Sequence, residues 1–383
     1  AFWRSKVQGY HLTNIILHAG AALVIYWLIT ILFGDRHLSL FTTILFVVNP
    51  LHTESISYIS GRADPLSTIF MLLSLILYIM YIRKENMVIA GLSVLAYVLA
   101  LFSRESVVIL PALMLFYHYA FGKKIKKDNI FPLAAVGCVT AIYALLRMTV
   151  LRHLLSDILN TSTVFQRIPG FFVAVTGYIR LLLVPVDLHT GYGIGLFRIT
   201  DPRVALGLLL AAVLLAYAFK NRKTHRLAFF SVCWFFITLI PQSNISPLNA
   251  YMAEHWLYVP SIGFFLVAGY AIKSFYDMKK YRRFALTIFC ALAAFYMFST
   301  IKQNTYWSDP VTFFEKTVRS TEDNYGDRVN LGIIYFMMDK KDEAVEEFRN
   351  AIKINSRYAD GYFNLGNAYL ELDKKEMAIN AYK

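Results

Sequence analysis

Four clusters of polar residues interrupt the apolar stretches of this 383-residue chain, and charge beside hydrocarbon is costly enough to be read as function by default. The first, Asn49-Pro50-Leu51-His52-Thr53-Glu54, breaks the end of an apolar run; if a helix resumes there, Glu54, Tyr58 and Arg62 follow at four-residue spacing on one face. The second, Gly61-Arg62-Ala63-Asp64-Pro65, places Asp64 at the start of the next helix with Pro65 suited to its first turn. Capping of that helix would also account for Asp64. The third, Ser103-Arg104-Glu105-Ser106, reads either as a loop ion pair or as a phosphate site, since a guanidinium holds phosphate through paired hydrogen bonds. The fourth runs from Ala253 through Glu254, His255, Trp256, Leu257, Tyr258, Val259 and Pro260 to Ser261. Glu254, Tyr258 and Ser261 would share a helical face there, and Trp256 with Tyr258 reads as an aromatic belt at a membrane surface.

Carboxylates beside fixed cations suit one kind of chemistry, removal of a proton from an acceptor while an anionic leaving group is held. No Walker loop, Rossmann glycine pattern, HExxH or GxSxG occurs in the sequence. His52 and Glu54 are a weak metal pair, because ligands two apart on a helix diverge, so neither a metal nor another cofactor is expected. Cys138, Cys233 and Cys290 each lie in an apolar segment and offer no CxxC or zinc spacing.

The elements that must position these clusters are membrane spans. The chain is 57% hydrophobic, 16% aromatic and only 16% charged, with a mean hydropathy of +0.49, which excludes a soluble globular enzyme. The formal charge of +13 could suit nucleic acid, but the basic residues sit in short clusters between apolar runs and mark orientation instead. Crossing takes about 20 mainly apolar residues, and ten segments qualify, approximately 11–33, 39–59, 66–82, 87–103, 106–121, 129–147, 203–220, 227–240, 256–273 and 284–301. An eleventh candidate, 168–184, carries Gly170, Gly177 and Arg180, ends at Pro185 and follows an amphipathic stretch with Leu151, Leu154, Leu155 and Leu159. The dense basic clusters are Arg83-Lys84, Lys123-Lys124 with Lys126-Lys127, Lys220 with Arg222, Lys223 and Arg226, and Lys279-Lys280 with Arg282-Arg283. All four fall on the cytoplasmic side only if 168–184 fails to cross. Residues 148–202 are therefore expected to form one non-cytoplasmic excursion with an interfacial or re-entrant helix. Residues 1–10, the four polar clusters and everything after 301 then share the non-cytoplasmic side.

After Ile301 the composition turns polar and repeats at an offset of 34 residues: Asn330 recurs as Asn364, Leu331-Gly332 as Leu365-Gly366, Tyr335 as Tyr369 and Ala344 as Ala378, while Phe314, Phe348 and Tyr382 form a further series. This is the tetratricopeptide pattern, in which Gly and Ala let paired helices approach and aromatics fill the space between them. The expected fold class is all-α, a polytopic helical membrane domain over 1–301 followed by a tetratricopeptide α-solenoid over 302–383. The array is expected to continue past Lys383. Because the chain opens on Ala1 without Met or a cleavable leader, it is expected to be shortened at the front as well.

The order of motifs resembles a known family. G-Y-H-L-T-N-I-I-L-H at 9–18, N-P-L-H-T-E-S-I-S-Y-I-S-G-R-A-D at 49–64, S-R-E-S at 103–106 and A-E-H-W-L-Y-V-P-S-I-G-F at 253–264, followed by the repeats, are similar to the transmembrane and tetratricopeptide-repeat-containing O-mannosyltransferases and their microbial relatives. The resemblance implies a GT-C fold and transfer of a sugar, mannose from dolichyl phosphate in the eukaryotic case, to protein hydroxyls on the luminal or extracytoplasmic side. It implies an integral protein of the endoplasmic reticulum membrane in a eukaryote or of the plasma or inner membrane in a prokaryote. It also implies that the main catalytic carboxylate stands in the first external loop, upstream of Ala1. Where relatives often carry a Lys-Glu pair and an Arg, this chain has Arg104-Glu105 and His255.

Two functions are therefore expected from different classes. In the first, the chain transfers a sugar from a polyprenyl-phosphate donor to a protein acceptor engaged by the repeats. Glu54, Asp64, Glu105 and Glu254 then support the site, and Arg62, Arg104, His52, His255 and Tyr258 contact the lipid phosphate or sugar. In the second, the membrane part is a non-catalytic anchor for a repeat scaffold, and the polar clusters do not converge. A transporter is a third, weaker reading without an inverted repeat of broken helices to support it.

Overall fold

The computed structural model describes residues 7–125, 127–149, 163–193, 195–248, 250–321 and 324–383, with the side chains of 127–129 set aside. The amphipathic leucines at 151–159 and Lys126 lie outside the described residues. The described chain forms two compact units. One comprises Ala1–Val186, Leu196–Leu248 and Glu254–Thr300, the other Asp187–Gly195, Asn249–Ala253 and Ile301–Lys383.

The first unit is helical throughout its regular parts. Among the described residues, five helical stretches are long and apolar enough to cross a membrane: Val7–Phe33 (α1), Ile59–Lys84, Ile130–Thr149, Pro202–Lys220 (α9) and Lys279–Ser308. The second of these contains α4 (Ala63–Lys84), the third is most of α7 (Lys127–Thr149), and the last contains α12 (Arg282–Ser308). Shorter apolar helices are α2 (Arg36–Val48), α5 (Met87–Ser103), α6 (Leu110–Phe121), α10 (Arg226–Leu239) and α11 (Ser261–Asp277). Each of the ten expected segments thus holds a helix. The eleventh holds α8 (Val164–Leu183), which is not one of the five.

The short helices are short for local reasons. At the end of α2, Asn49 leaves the helix with ψ 130 and its side chain accepts from the Leu51 N–H, and Pro50 opens a single tight turn. Helix α3 (Thr53–Ser57) lasts little more than one turn before Tyr58 becomes extended with ψ 127. Glu54, Tyr58 and Arg62 therefore do not form the expected continuous stripe, because the helix that would align them stops at Ser57. Gly61 folds the chain back so tightly that a Cβ there would sit 2.5 Å from the Ser55 carbonyl oxygen.

Packing follows membrane rules, with small residues and interhelical hydrogen bonds at the seams. Helices α4 and α5 form a hairpin in which Ser74 Oγ donates to the Ser93 carbonyl at 2.7 Å and Ser93 Oγ to the Ser74 carbonyl at 2.8 Å. Gly263 of α11 lies against the Ser231 carbonyl of α10, and Gly207 of α9 against that of Phe172 in α8, each too close to admit a Cβ. Trp234, Tyr78, Tyr97, Phe46 and Phe265 are among the largest fully buried side chains.

The second unit stacks α13 (Pro310–Ser320), α14 (Tyr325–Met337), α15 (Lys341–Ile354), α16 (Ala359–Glu371) and α17 (Lys375–Tyr382). Its repeat is visible in the packing: Gly332 admits the Phe348 ring, and 34 residues on Gly366 admits that of Tyr382. Asn324 caps α14 by accepting from the Asp327 N–H and donates its amide to the Asp327 carboxylate. Burial pushes that carboxyl up from its ordinary range, and the Asn324 bond opposes the shift. Two loops belong to this unit, since Gln303 Nε2 donates to the Leu188 carbonyl at 3.2 Å and the Tyr251 N–H to that of Gly193 at 3.0 Å.

Candidate functional site

Five helix ends of the first unit meet around one small cleft. Asp64, Ser67 and Thr68 come from the first turns of α4; Arg104, Ser106 and Ile109 from the junction of α5 and α6; Thr238 and Gln242 from the end of α10; and His255, Trp256 and Tyr258 from the approach to α11. The cleft has about 20 Å³ of interior volume, room for a water or so.

Arg104 follows α5 in extended conformation and reaches back to α4, where its Nη1 lies 2.9 Å from Asp64 Oδ1. Ser55 Oγ donates to the other carboxylate oxygen at 3.1 Å. Asp64 is 7% exposed, and the helix begins without a side-chain cap, so the carboxylate serves Arg104 and not the helix end. Arg104 spends donors on Asp64 while its side chain stays 25% exposed.

His255, also on the cleft wall, belongs to a second held pair. Glu54 Oε1 accepts from His255 Nδ1 at 2.7 Å and Glu54 Oε2 from the His255 backbone N–H at 3.0 Å. Both oxygens of one carboxylate grip one residue, fixing the tautomer with the proton on Nδ1 and leaving Nε2 uncommitted to Glu54. Behind it, the Tyr258 hydroxyl is 2.7 Å from His18 Nδ1, and His18 Nε2 is 3.2 Å from the Val47 carbonyl. A carbonyl only accepts, so Nε2 carries the His18 proton and Tyr258 donates to Nδ1.

Other expected site residues are placed differently. His52 is 1% exposed and gives its ring nitrogens to the Phe46 carbonyl at 2.8 Å and Ser261 Oγ at 3.2 Å, inside an aromatic cluster with His18, Phe46 and Tyr258. It packs behind the cleft instead of lining it. Glu105 is exposed and turns to Arg147 at 3.5 Å, so the adjacent Arg104 and Glu105 side chains serve different partners. Arg62 lies over the Tyr10 ring, 5.1 Å from its centroid. Glu254 is 2% exposed in a single tight turn, Glu254–Leu257, that ends before α11, so the expected face of Glu254, Tyr258 and Ser261 does not form. Trp256 and Tyr258, 9% and 1% exposed, belong to the interior and not to a lipid-facing belt. Sequence reasoning missed Ser55 in α3, Thr238 near the end of α10 and Gln242 in the turn after it, ordinary polar residues with no charge to draw notice. Among the described residues no three His, Cys, Asp or Glu side chains are grouped to hold a metal.

A model of the tetratricopeptide repeat matches residues 332–373. A protein O-mannosyl-transferase of Caenorhabditis elegans is 26% identical over 366 residues, covering 92% of this chain and 52% of the relative. Protein O-mannosyl-transferase tmtc2 of Xenopus laevis is 24% identical, covering 92% and 53%, and protein O-mannosyl-transferase TMTC3 of Homo sapiens is 22% identical, covering 83% and 39%. The relatives over most of the chain are thus those the motifs resemble, and the chain spans about half or less of their length.

Proposed function

We propose that this chain carries the donor-binding part of a membrane glycosyltransferase that moves a sugar, mannose by likeness to its relatives, from a polyprenyl phosphate to protein hydroxyls. The observation that carries the reading is the meeting of two anchored groups in one cleft: Arg104 held by Asp64, and His255 held by Glu54 at both its ring and its backbone. A scaffold anchor has no use for two preorganised pairs at one cleft. In transfer, the bond from the sugar's anomeric carbon to the lipid phosphate breaks and one to the acceptor oxygen forms, the acceptor's proton passes to a carboxylate base, and the lipid phosphate departs with negative charge. The remaining donors of Arg104 meet that charge without reorganising, which is what electrostatic stabilisation of a leaving group requires, while His255, its Nδ1 proton bonded to Glu54, presents Nε2 as an acceptor. An apolar groove of about 330 Å³ lined by Ile168, Phe171, Phe236, Ile237, Ile240 and Ile245 shares the turn at 240–243 with the cleft and suits the hydrocarbon of such a donor. No metal enters the reading.

The same proposal sets the start of α8 on the side of the site, where Arg167 donates to the Asn244 and Ile245 carbonyls beside the cleft's Gln242. That side is luminal or extracytoplasmic by the charge bias, where the repeats would engage the protein acceptor. The test is transfer of labelled mannose from polyprenyl phosphate to an acceptor by the purified full-length protein. Arg104→Ala with undiminished turnover would remove Arg104 from the mechanism.

A further inference from the structure

The cleft contains a polar atom that the anchored pairs do not use. Gln242 ends the tight turn Ile240–Gln242 after α10, with Pro241 inside the turn and Ser243 closing it through its N–H at 3.0 Å and its hydroxyl at 2.6 Å to the Ile240 carbonyl. The backbone there is fixed, and the side chain forms part of the cleft wall with Arg104, Asp64, His255 and Tyr258. Gln242 Oε1 is closed off from the surface and accepts no hydrogen bond from any protein group. Its neighbours have partners within the protein: Asp64 has Arg104 and Ser55, His255 Nδ1 has Glu54, Tyr258 has His18, and Thr238 has the Trp234 carbonyl. A single water can meet this acceptor in the free protein, and a cleft acceptor that no protein group fills calls for an explanation in terms of what enters in that water's place.

What enters must bring a donor. A lipid phosphate ionised at neutral pH brings none, and an isoprenoid chain brings none. The alcohols of the reaction are left, the hydroxyls of the transferred sugar and the hydroxyl of the acceptor Ser or Thr. Resting on the transferase reading above, we propose that Gln242 reads a substrate hydroxyl, its Oε1 accepting from the alcohol, and so sets specificity next to the phosphate held by Arg104. The acceptor oxygen lies on the same turn whose Ile240 and Ser243 face the apolar groove, so one turn meets both ends of an amphiphilic donor.

The experiment compares Gln242→Met, which keeps length and loses hydrogen bonding, with Gln242→Glu, which keeps an acceptor. Both are made in the full-length protein in lipid nanodiscs, with mannosyl polyprenyl phosphate, its singly deoxygenated analogues and a Ser/Thr peptide as probes. For Gln242→Met, kcat/KM is expected to fall about tenfold or more, the scale of losing one hydrogen bond that a site was built to make. Its unfolding temperature is expected to stay level, since no hydrogen bond within the protein is lost. Gln242→Glu is expected to retain more activity than Gln242→Met. If the partner is a sugar hydroxyl, one deoxy donor costs the wild type the same factor and costs Gln242→Met nothing further. If it is the acceptor hydroxyl, the loss appears in the acceptor KM and is the same with every deoxy donor. Wild-type kcat/KM in Gln242→Met overturns the inference, as does an activity loss matched by a lowered unfolding temperature. A wild-type protein that transfers from no polyprenyl-phosphate sugar overturns the transferase reading itself, and this inference with it.

Discussion

Replacing Arg104 by Met tests whether the cleft is organised by a charge pair. With charge centres roughly 4 Å apart, the pair attracts by about 4 kcal/mol at an effective dielectric constant near 20. Removing one member of a fully buried pair costs about 3–5 kcal/mol. Asp64 is 7% exposed and keeps only the Ser55 bond, but the Arg104 side chain is 25% exposed, so water reaches the gap. The expected loss is therefore smaller, about 2–3 kcal/mol. Asp64→Asn alone leaves an acceptor for Arg104 and is expected to cost about 1–2 kcal/mol. In the double variant the uncompensated carboxylate is gone, so the combined cost should fall below the sum of the single costs by at least about 1 kcal/mol. Unfolding of the four proteins followed by tryptophan fluorescence in nanodiscs measures the coupling, and labelled-mannose transfer measures function on the same samples. The double variant should lose less stability than the two single losses together while transfer stays lost. Additive costs would show that Arg104 does not hold Asp64 ionised. Recovery of transfer without the guanidinium would refute its role with phosphate.

Glu54→Ala is expected to lower transfer by roughly tenfold to a hundredfold, the scale of misplacing a positioned group. His255→Ala added to it should cost little more, and independent, multiplying losses would break the Glu54–His255 unit apart. In the repeat unit, burial raises the Asp327 carboxyl above its ordinary value of about 4. The contribution of that raised group is present below the unfolded value and is lost as pH rises through the folded one. Asp327→Asn should therefore gain stability relative to wild type between pH 4 and pH 7, and an equal difference in unfolding temperature at both pH values would contradict the burial argument. Thr163→Cys and Val186→Cys, flanking α8, should both react with a bulky maleimide from the side on which Tyr58→Cys reacts. Labelling of Val186→Cys from the opposite side would make α8 a crossing helix.

What the sequence disclosed follows from how strongly each feature is forced. Apolar length is forced by the membrane, so each of the ten apolar segments was readable as holding a helix, and two glycines with Arg180 set 168–184 apart from them in composition. The 34-residue offset was equally plain, because Gly332 and Gly366 each leave room for an aromatic ring that no larger residue would allow. Asp64, Arg104 and His255 stood out because charge and imidazole are rare beside hydrocarbon. Their pairing did not, since Glu54 finds His255 through a break in the chain at Tyr58 that helical periodicity runs straight through. The burial of Tyr258 was misjudged for a related reason: an aromatic near a span end suits the membrane interface on composition alone, and only the His18 nitrogen across the bundle shows that its hydroxyl has a partner inside. Gln242 gave no sign, because an uncharged amide after a proline is ordinary in any loop.

The two anchored pairs differ in how far their members stand apart along the chain. Asp64 and Arg104 are about forty residues apart and belong to a helical hairpin and the turn that follows it, whereas Glu54 and His255 are 201 residues apart. During synthesis at about 5–20 residues per second, the first pair can close within seconds of α5 entering the membrane. Glu54 must wait roughly 8–30 s longer for its partner to emerge. A nascent chain thus passes through a stage in which one half of the site is closed while the other presents a lone carboxylate at the membrane surface. Insertion of α11 ends that stage, and arrest before α11 leaves a mark that separates an unfinished molecule from a finished one.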